Sequence, residues 1–179
     1  MGIVACRIGW LLIALAVALP ARGEVKQSAA DTLSIAIEAK ISAPPRTVFD
    51  AIVHVERWWS SEHTYSEDAG NLSLMAEPGG CFCERWKDGG VEHGRVILVL
   101  RDKLLRLAAP LGPLQGKAVE GVLTFQLKPA DGGTALTVGY LVNGTTASAL
   151  DKSAAGVDRV LTEQVQRLKH LIETGKPAE

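Results

Sequence analysis

The chain's last long segment, about 146–174, limits what the rest of it can be. Apolar residues fall at Val157, Val160, Leu161, Val165, Leu168, Leu171 and Ile172, with Asp158, Arg159, Glu163, Gln166, Arg167, Lys169 and Glu173 between them. Spacing of three and four is the stripe of an amphipathic helix. At 1.5 Å per residue it would run roughly 40 Å. A helix in water does not stand on propensity alone, so the stripe needs a broad apolar surface to cover.

The preceding segments supply that surface as strands. Leu33, Ile35, Ile37, Ala39 and Ile41 alternate with Ser34, Ala36, Glu38 and Lys40, a period of two that marks a half-buried strand. Ala43-Pro44-Pro45 stops it and suits a helix start, so 45–54 is expected as a short helix with Val48, Phe49, Ile52 and Val53 on one side. The polar stretch 60–71, with His63 and Tyr65, reads as a loop at the mouth of the fold. Strands are expected at 72–76, 81–87, 91–100, 104–108, 118–128 and 134–142. Asp88-Gly89-Gly90 and Asp131-Gly132-Gly133 mark hairpins. The Pro- and Gly-rich stretch 109–117 reads as a flap over one end. Hairpin-linked neighbours make the sheet antiparallel, so the expected class is α+β, with a curved sheet of about 6–7 strands against a long C-terminal helix.

At the other end, Arg7 precedes an apolar run of 12 residues, 8–19, and Ala21-Arg22-Gly23 places small residues at −3 and −1. The run is short for a bilayer span and has the pattern of a secretory signal peptide cut after Gly23. Retention as an N-terminal anchor is the alternative. The expected organisation is a signal peptide 1–23, a flexible lead-in 24–31, one domain 32–174 and a tail 175–179. Cleavage would leave 17 basic against 20 acidic residues, which gives no electrostatic case for nucleic acid. It would also leave only Cys81 and Cys83. Neighbours two apart on a strand are poorly placed for a disulfide, and two ligands do not make a metal site, so they are expected as small buried hydrophobes.

The order of these features resembles the SRPBCC (START-like, birch-pollen-allergen-like) superfamily with its helix-grip fold. The nearest branch is that of the activator of heat-shock ATPase homologue and polyketide cyclase-like proteins. The residues carrying the resemblance are Ile41-Ser42-Ala43-Pro44-Pro45-Arg46-Thr47-Val48-Phe49, then Trp58-Trp59, then Glu77-Pro78-Gly79-Gly80-Cys81-Phe82-Cys83-Glu84, then Gly94-Arg95-Val96 and the closing helix. They span about 33–172. The chain departs after Asp102, where Lys103-Leu104-Leu105-Arg106-Leu107 stands in place of the branch's proline and aromatic. The resemblance implies a mostly apolar cavity between sheet and helix.

The expected lining is Trp58, Trp59, Phe82, Glu84, Trp86, Phe125, Tyr140 and Leu161. Phe82, Glu84 and Trp86 share one face of their strand if it alternates strictly. Glu84 in an apolar cup would be a candidate acid or base, with His63, His93 or Tyr140 as its partner; rim exposure or pairing with Arg95 is the plainer alternative. No His-x-x-x-His spacing, serine elbow or phosphate loop is present, so no metal, no cofactor and no catalytic motif is expected. The leading expectation is an exported, periplasmic or secreted protein that holds a small apolar or amphipathic molecule. The alternatives are a cyclase-, dehydratase- or hydrolase-type enzyme using Glu84, and a protein-interaction module.

Overall fold

The computed structural model describes residues 20–178. Of the expected signal segment, 1–19 lie outside the described residues. The elements run β1 (Arg22–Ala29), β2 (Thr32–Ile41), α1 (Pro45–Val53), β3 (Leu72–Leu74), β4 (Cys81–Trp86), β5 (Gly89–Leu100), β6 (Leu104–Ala108), β7 (Glu120–Ala130), β8 (Gly133–Asn143) and α2 (Ala154–Thr174), joined by short 3-10 turns. All eight strands form one antiparallel sheet in the order β1-β2-β8-β7-β6-β5-β4-β3.

The alternating segments bury as their period requires. Leu33, Ile35, Ile37, Ala39 and Ile41 of β2 face the core, with Leu136, Val138, Tyr140 and Val142 of β8 and Leu123, Phe125 and Leu127 of β7 beside them. Gly132 takes φ +75° in the turn between β7 and β8, a conformation glycine adopts without a Cβ clash. Pro45 opens α1, where its missing N–H costs no helical bond. The helix then buries Val48, Phe49 and Ile52.

α2 packs on β1, β2 and α1. Leu161, Val165, Leu168 and Leu171 are buried on its inner face, each worth roughly 2 kcal/mol of apolar transfer. Polar groups fix its position along the sheet. Buried Gln164 accepts from Ser60 N at 2.7 Å, and Arg167 Nε donates to Trp58 O at 2.9 Å. Near the helix end, buried Lys169 donates to Lys40 O at 2.7 Å and to Glu173 Oε1 at 2.6 Å.

Three expectations are corrected. The sheet has eight strands because the stretch expected as a flexible lead-in is strand β1, paired with β2 from Arg22↔Glu38 to Ala29↔Thr32. The expected cut after Gly23 falls inside this strand, where a Cβ on Gly23 would meet Thr162 Oγ1 at 2.1 Å. The closing helix is shorter than its stripe suggested. It holds 21 residues, about 32 Å, because Ala149 turns left-handed (φ 47°) and splits the 146–153 stretch into 3-10 turns. Cys81 and Cys83 are joined as a disulfide, with Cα atoms 5.4 Å apart. A regular strand spaces alternate residues about 6.6 Å apart, and the register shift between Phe82 and Cys83 shortens that reach.

Candidate functional site

A cleft of about 540 Å³ opens at one end of the molecule. One wall is the loop carrying Glu62, His63, Thr64 and Tyr65; a second is Leu111–Leu114; the third is the first half of α2, from Ser153 to Leu161. Trp59 and His93 complete the lining. The cleft therefore lies beside the helix start and under the expected flap, not beneath the centre of the sheet.

Each outer wall hangs from a buried side chain. Glu84 on β4 is fully buried, and its carboxyl accepts from Tyr65 N at 3.0 Å, Ser66 N at 2.5 Å and His93 Nε2 at 3.0 Å. Burial works to raise its pKa, but hydrogen bonds from Ser66, Tyr65 and His93 outweigh it and hold the carboxyl below its ordinary value. Tyr140, 1% exposed, does the same for the second wall. Its hydroxyl donates to Ala109 O and accepts from Leu111 N, both at 2.9 Å, and burial pushes its pKa well up. Gly121 makes room for this: a Cβ there would lie 2.4 Å from Ala109 O. Tyr65 Oη donates to Gly112 O at 3.2 Å and ties the two walls together.

Glu84 is ionised at neutral pH, so it can only accept, and His93 Nε2 carries the hydrogen between them. Burial lowers the pKa of His93, and the bond and charge of Glu84 only partly oppose this. The ring is thus a neutral imidazole, 5% exposed, against Phe82 (centroids 4.9 Å) and Tyr65 (5.8 Å). Among the described residues, no hydrogen bond engages its Nδ1. A second histidine, His63, pairs through Nε2 with Glu163 Oε2 at 3.3 Å on the cleft's more exposed side. Arg159 also lines the cleft, and among the described residues it has no ion pair.

Of the eight residues expected to line the cavity, Trp59 and Leu161 do so. Glu84 and Tyr140 lie behind the walls and hold them. Trp58, Phe82 and Phe125 belong to the core, around a void of about 10 Å³, too small for any ligand beyond a single water. Trp86 is corrected outright: at the end of the β4–β5 hairpin it is 36% exposed and lies over Gly89. Glu84 is neither at the rim nor paired with Arg95, whose guanidinium meets Glu92 and Gly79 O. His93 is buried beside Glu84. Leu111, Pro113, Val157, Val160 and Arg159 were missed as lining. The stripe of α2 does signal Val157 and Val160, whereas only the folded flap reveals Leu111 and Pro113.

Among the described residues, the one group of three potential metal ligands is Cys81, Cys83 and Glu92. The sulfurs are bonded to each other and Glu92 is engaged by Arg95, so this group offers no ready donor set.

Fold and cleft together define an α+β protein whose open antiparallel sheet and C-terminal helix leave a lined hollow at one end, compatible with a helix grip. No family model matches the chain, and neither does any curated protein. Solved structures do. MLL2253 from Mesorhizobium loti is 19% identical with a TM-score of 0.59, over 78% of this chain and 96% of that one. EF2215 from Enterococcus faecalis, described as a conserved protein of unknown function, is 15% identical with a TM-score of 0.59, over 88% and 80%. CalU16 from Micromonospora echinospora is 17% identical with a TM-score of 0.57, over 82% and 78%. At these identities the likeness is one of fold.

Proposed function

We propose that this is an exported, SRPBCC-type binding protein that takes a small apolar or amphipathic molecule into the cleft beside α2. The observation that carries the reading is the lining. Trp59, Leu111, Pro113, Leu114, Val160 and Leu161 form an apolar hollow of about 540 Å³, within the usual range for small-molecule sites, while His93 and Arg159 offer orienting polar groups. Export rests on the N-terminal pattern and is tested by fractionating cells that express the full chain. An open cleft weighs against the alternative of a pure interaction module, for which a filled hollow is expected.

The test is uptake of 1-anilinonaphthalene-8-sulfonate by delipidated protein, followed by native mass spectrometry and by fluorescence. Stoichiometric uptake is expected, with at least about tenfold weaker binding in Val160→Trp, whose indole fills the hollow. If neither this dye nor any apolar competitor is taken up, the reading fails.

A further inference from the structure

We propose that the cleft is a proton-transfer site, in which His93 Nδ1 accepts the proton of a weakly acidic hydroxyl, phenol or enol, on an apolar ligand, and Glu84 is the positioning residue that leaves Nδ1 bare. The proposal rests on the reading above, that the cleft takes a ligand, and names the chemistry of that ligand.

The argument begins with the orientation of the ring. The Glu84 carboxylate is held by two backbone N–H groups from the Tyr65–Ser66 segment, so it has a fixed direction before any ligand arrives. A fixed acceptor 3.0 Å from Nε2 selects the tautomer with hydrogen on that nitrogen. In a neutral ring the other nitrogen then has a lone pair and no proton. The ring lines the cleft, while among the described residues the buried side-chain polar atoms without partners are Asp102 Oδ1, Asp158 Oδ1 and Thr162 Oγ1. His93 Nδ1 is not among them, so it is not sealed in the interior.

An anchored carboxylate behind an imidazole that faces a substrate-sized hollow is the arrangement of a general base. In the proton transfer the ligand O–H bond breaks and an Nδ1–H bond forms. The electron pair stays on the ligand oxygen, and the imidazolium is stabilised by Glu84 through Nε2–H. For an enol the resulting enolate can be reprotonated on carbon, which makes the step one half of a keto–enol isomerisation. The charged and titratable groups near the ring are Glu84, Tyr65, whose own ring packs on it, and Glu62, His63 with Glu163, and Arg159 around the cleft. Arg159 is the cation on hand to attract the conjugate base. A carboxylate that cannot reach the cleft explains why Glu84 itself is not the proton shuttle.

The probe is 4-nitrophenol, an aromatic ring with one acidic hydroxyl whose phenolate absorbs visibly. Near its own pKa, the bound probe is expected to shift at least about tenfold toward phenolate in the wild type, one pKa unit. In His93→Gln the bound probe should return to within about twofold of the free ratio, and Glu84→Gln should lose most of the shift. Histidine ¹⁵N NMR of the wild type needs no variant and should show His93 protonated at Nε2. Equal ionisation in wild type and His93→Gln, or an Nδ1–H tautomer, overturns the proposal while leaving ligand binding intact. A shift that survives His93→Gln and vanishes in Arg159→Gln also overturns it. Failure of the wild type to bind this or any apolar probe sinks both readings.

Discussion

The Glu84 carboxylate lies 3.0 Å from His93 Nε2, with Glu84 fully buried and His93 5% exposed. One acid thereby joins three pieces of chain: strand β4, strand β5 and the loop at Tyr65–Ser66. Replacing it should therefore cost stability as well as the order of the cleft. Glu84→Ala leaves its three donors, of which His93 is buried and the two backbone N–H groups part-buried, without an acceptor and should lower the unfolding free energy by about 3 kcal/mol. Glu84→Gln, which keeps one acceptor oxygen, should cost about half as much. Urea denaturation measures both, and equal losses would mean that packing, not hydrogen bonding, is at stake.

The same pair makes stability depend on pH. Both groups have folded pKa values below their ordinary ones, so each contributes stability that is full above its unfolded pKa and lost as pH falls through the folded one. Unfolding free energy should decline first below about pH 6.5, the His93 window, and again below about pH 4.3, the Glu84 window. His93→Gln should flatten the upper limb and leave the lower. A profile that rises on acidification contradicts this sign.

Tyr140→Phe removes the hydroxyl shared by Ala109 O and Leu111 N while keeping the ring in place. A loss of about 1–2 kcal/mol is expected from two unpaired backbone groups. Hydrogen exchange should speed up in 109–117 and not in β7 or β8. Gly121→Ala should damage the same wall more severely, since its Cβ would strike backbone at Ala109 O.

Lys169 and Glu173 test the far end of α2. Each side chain is mostly buried, and Glu173 Oε1 also accepts from Ser42 N at 3.0 Å. Glu173→Ala strands a buried ammonium and should cost about 3 kcal/mol, whereas Lys169→Met strands a carboxylate that keeps Ser42 N and some solvent access and should cost about 2 kcal/mol. Thermal melts of the two variants decide the order.

Much of the fold is legible where residues alternate or recur with one strong period. Leu33–Ile41 and Leu136–Val142 read as strands, and Val157–Ile172 as a helix, because in each a single buried face sets the pattern. Strand β1 does not read this way. It is an edge strand whose only inward residues are Gly23, Val25 and Ala29, with alternation broken at Gln27–Ser28, so no apolar stripe marks it, and charge such as Lys26 is what an edge strand tolerates. The site was partly legible. Glu84, His63 and His93 stand out by type, but their roles depend on geometry. The shift between Phe82 and Cys83 breaks strict alternation, so Phe82, Cys83 and Glu84 are buried in succession and Trp86 is left outside. Which side of Glu84 meets backbone N–H groups is decided by a loop nearly twenty residues earlier, and no local spacing encodes that.

The anchoring of both outer walls by core side chains has a consequence for how such a chain can diversify. Because Glu84 and Tyr140 hold the walls by main-chain atoms at Tyr65, Ser66, Ala109 and Leu111, side chains at 62–64 and 111–114 can vary while the clasps remain. The hollow can thus be reshaped by swapping a few surface positions, without renegotiating how the sheet and its rod come together.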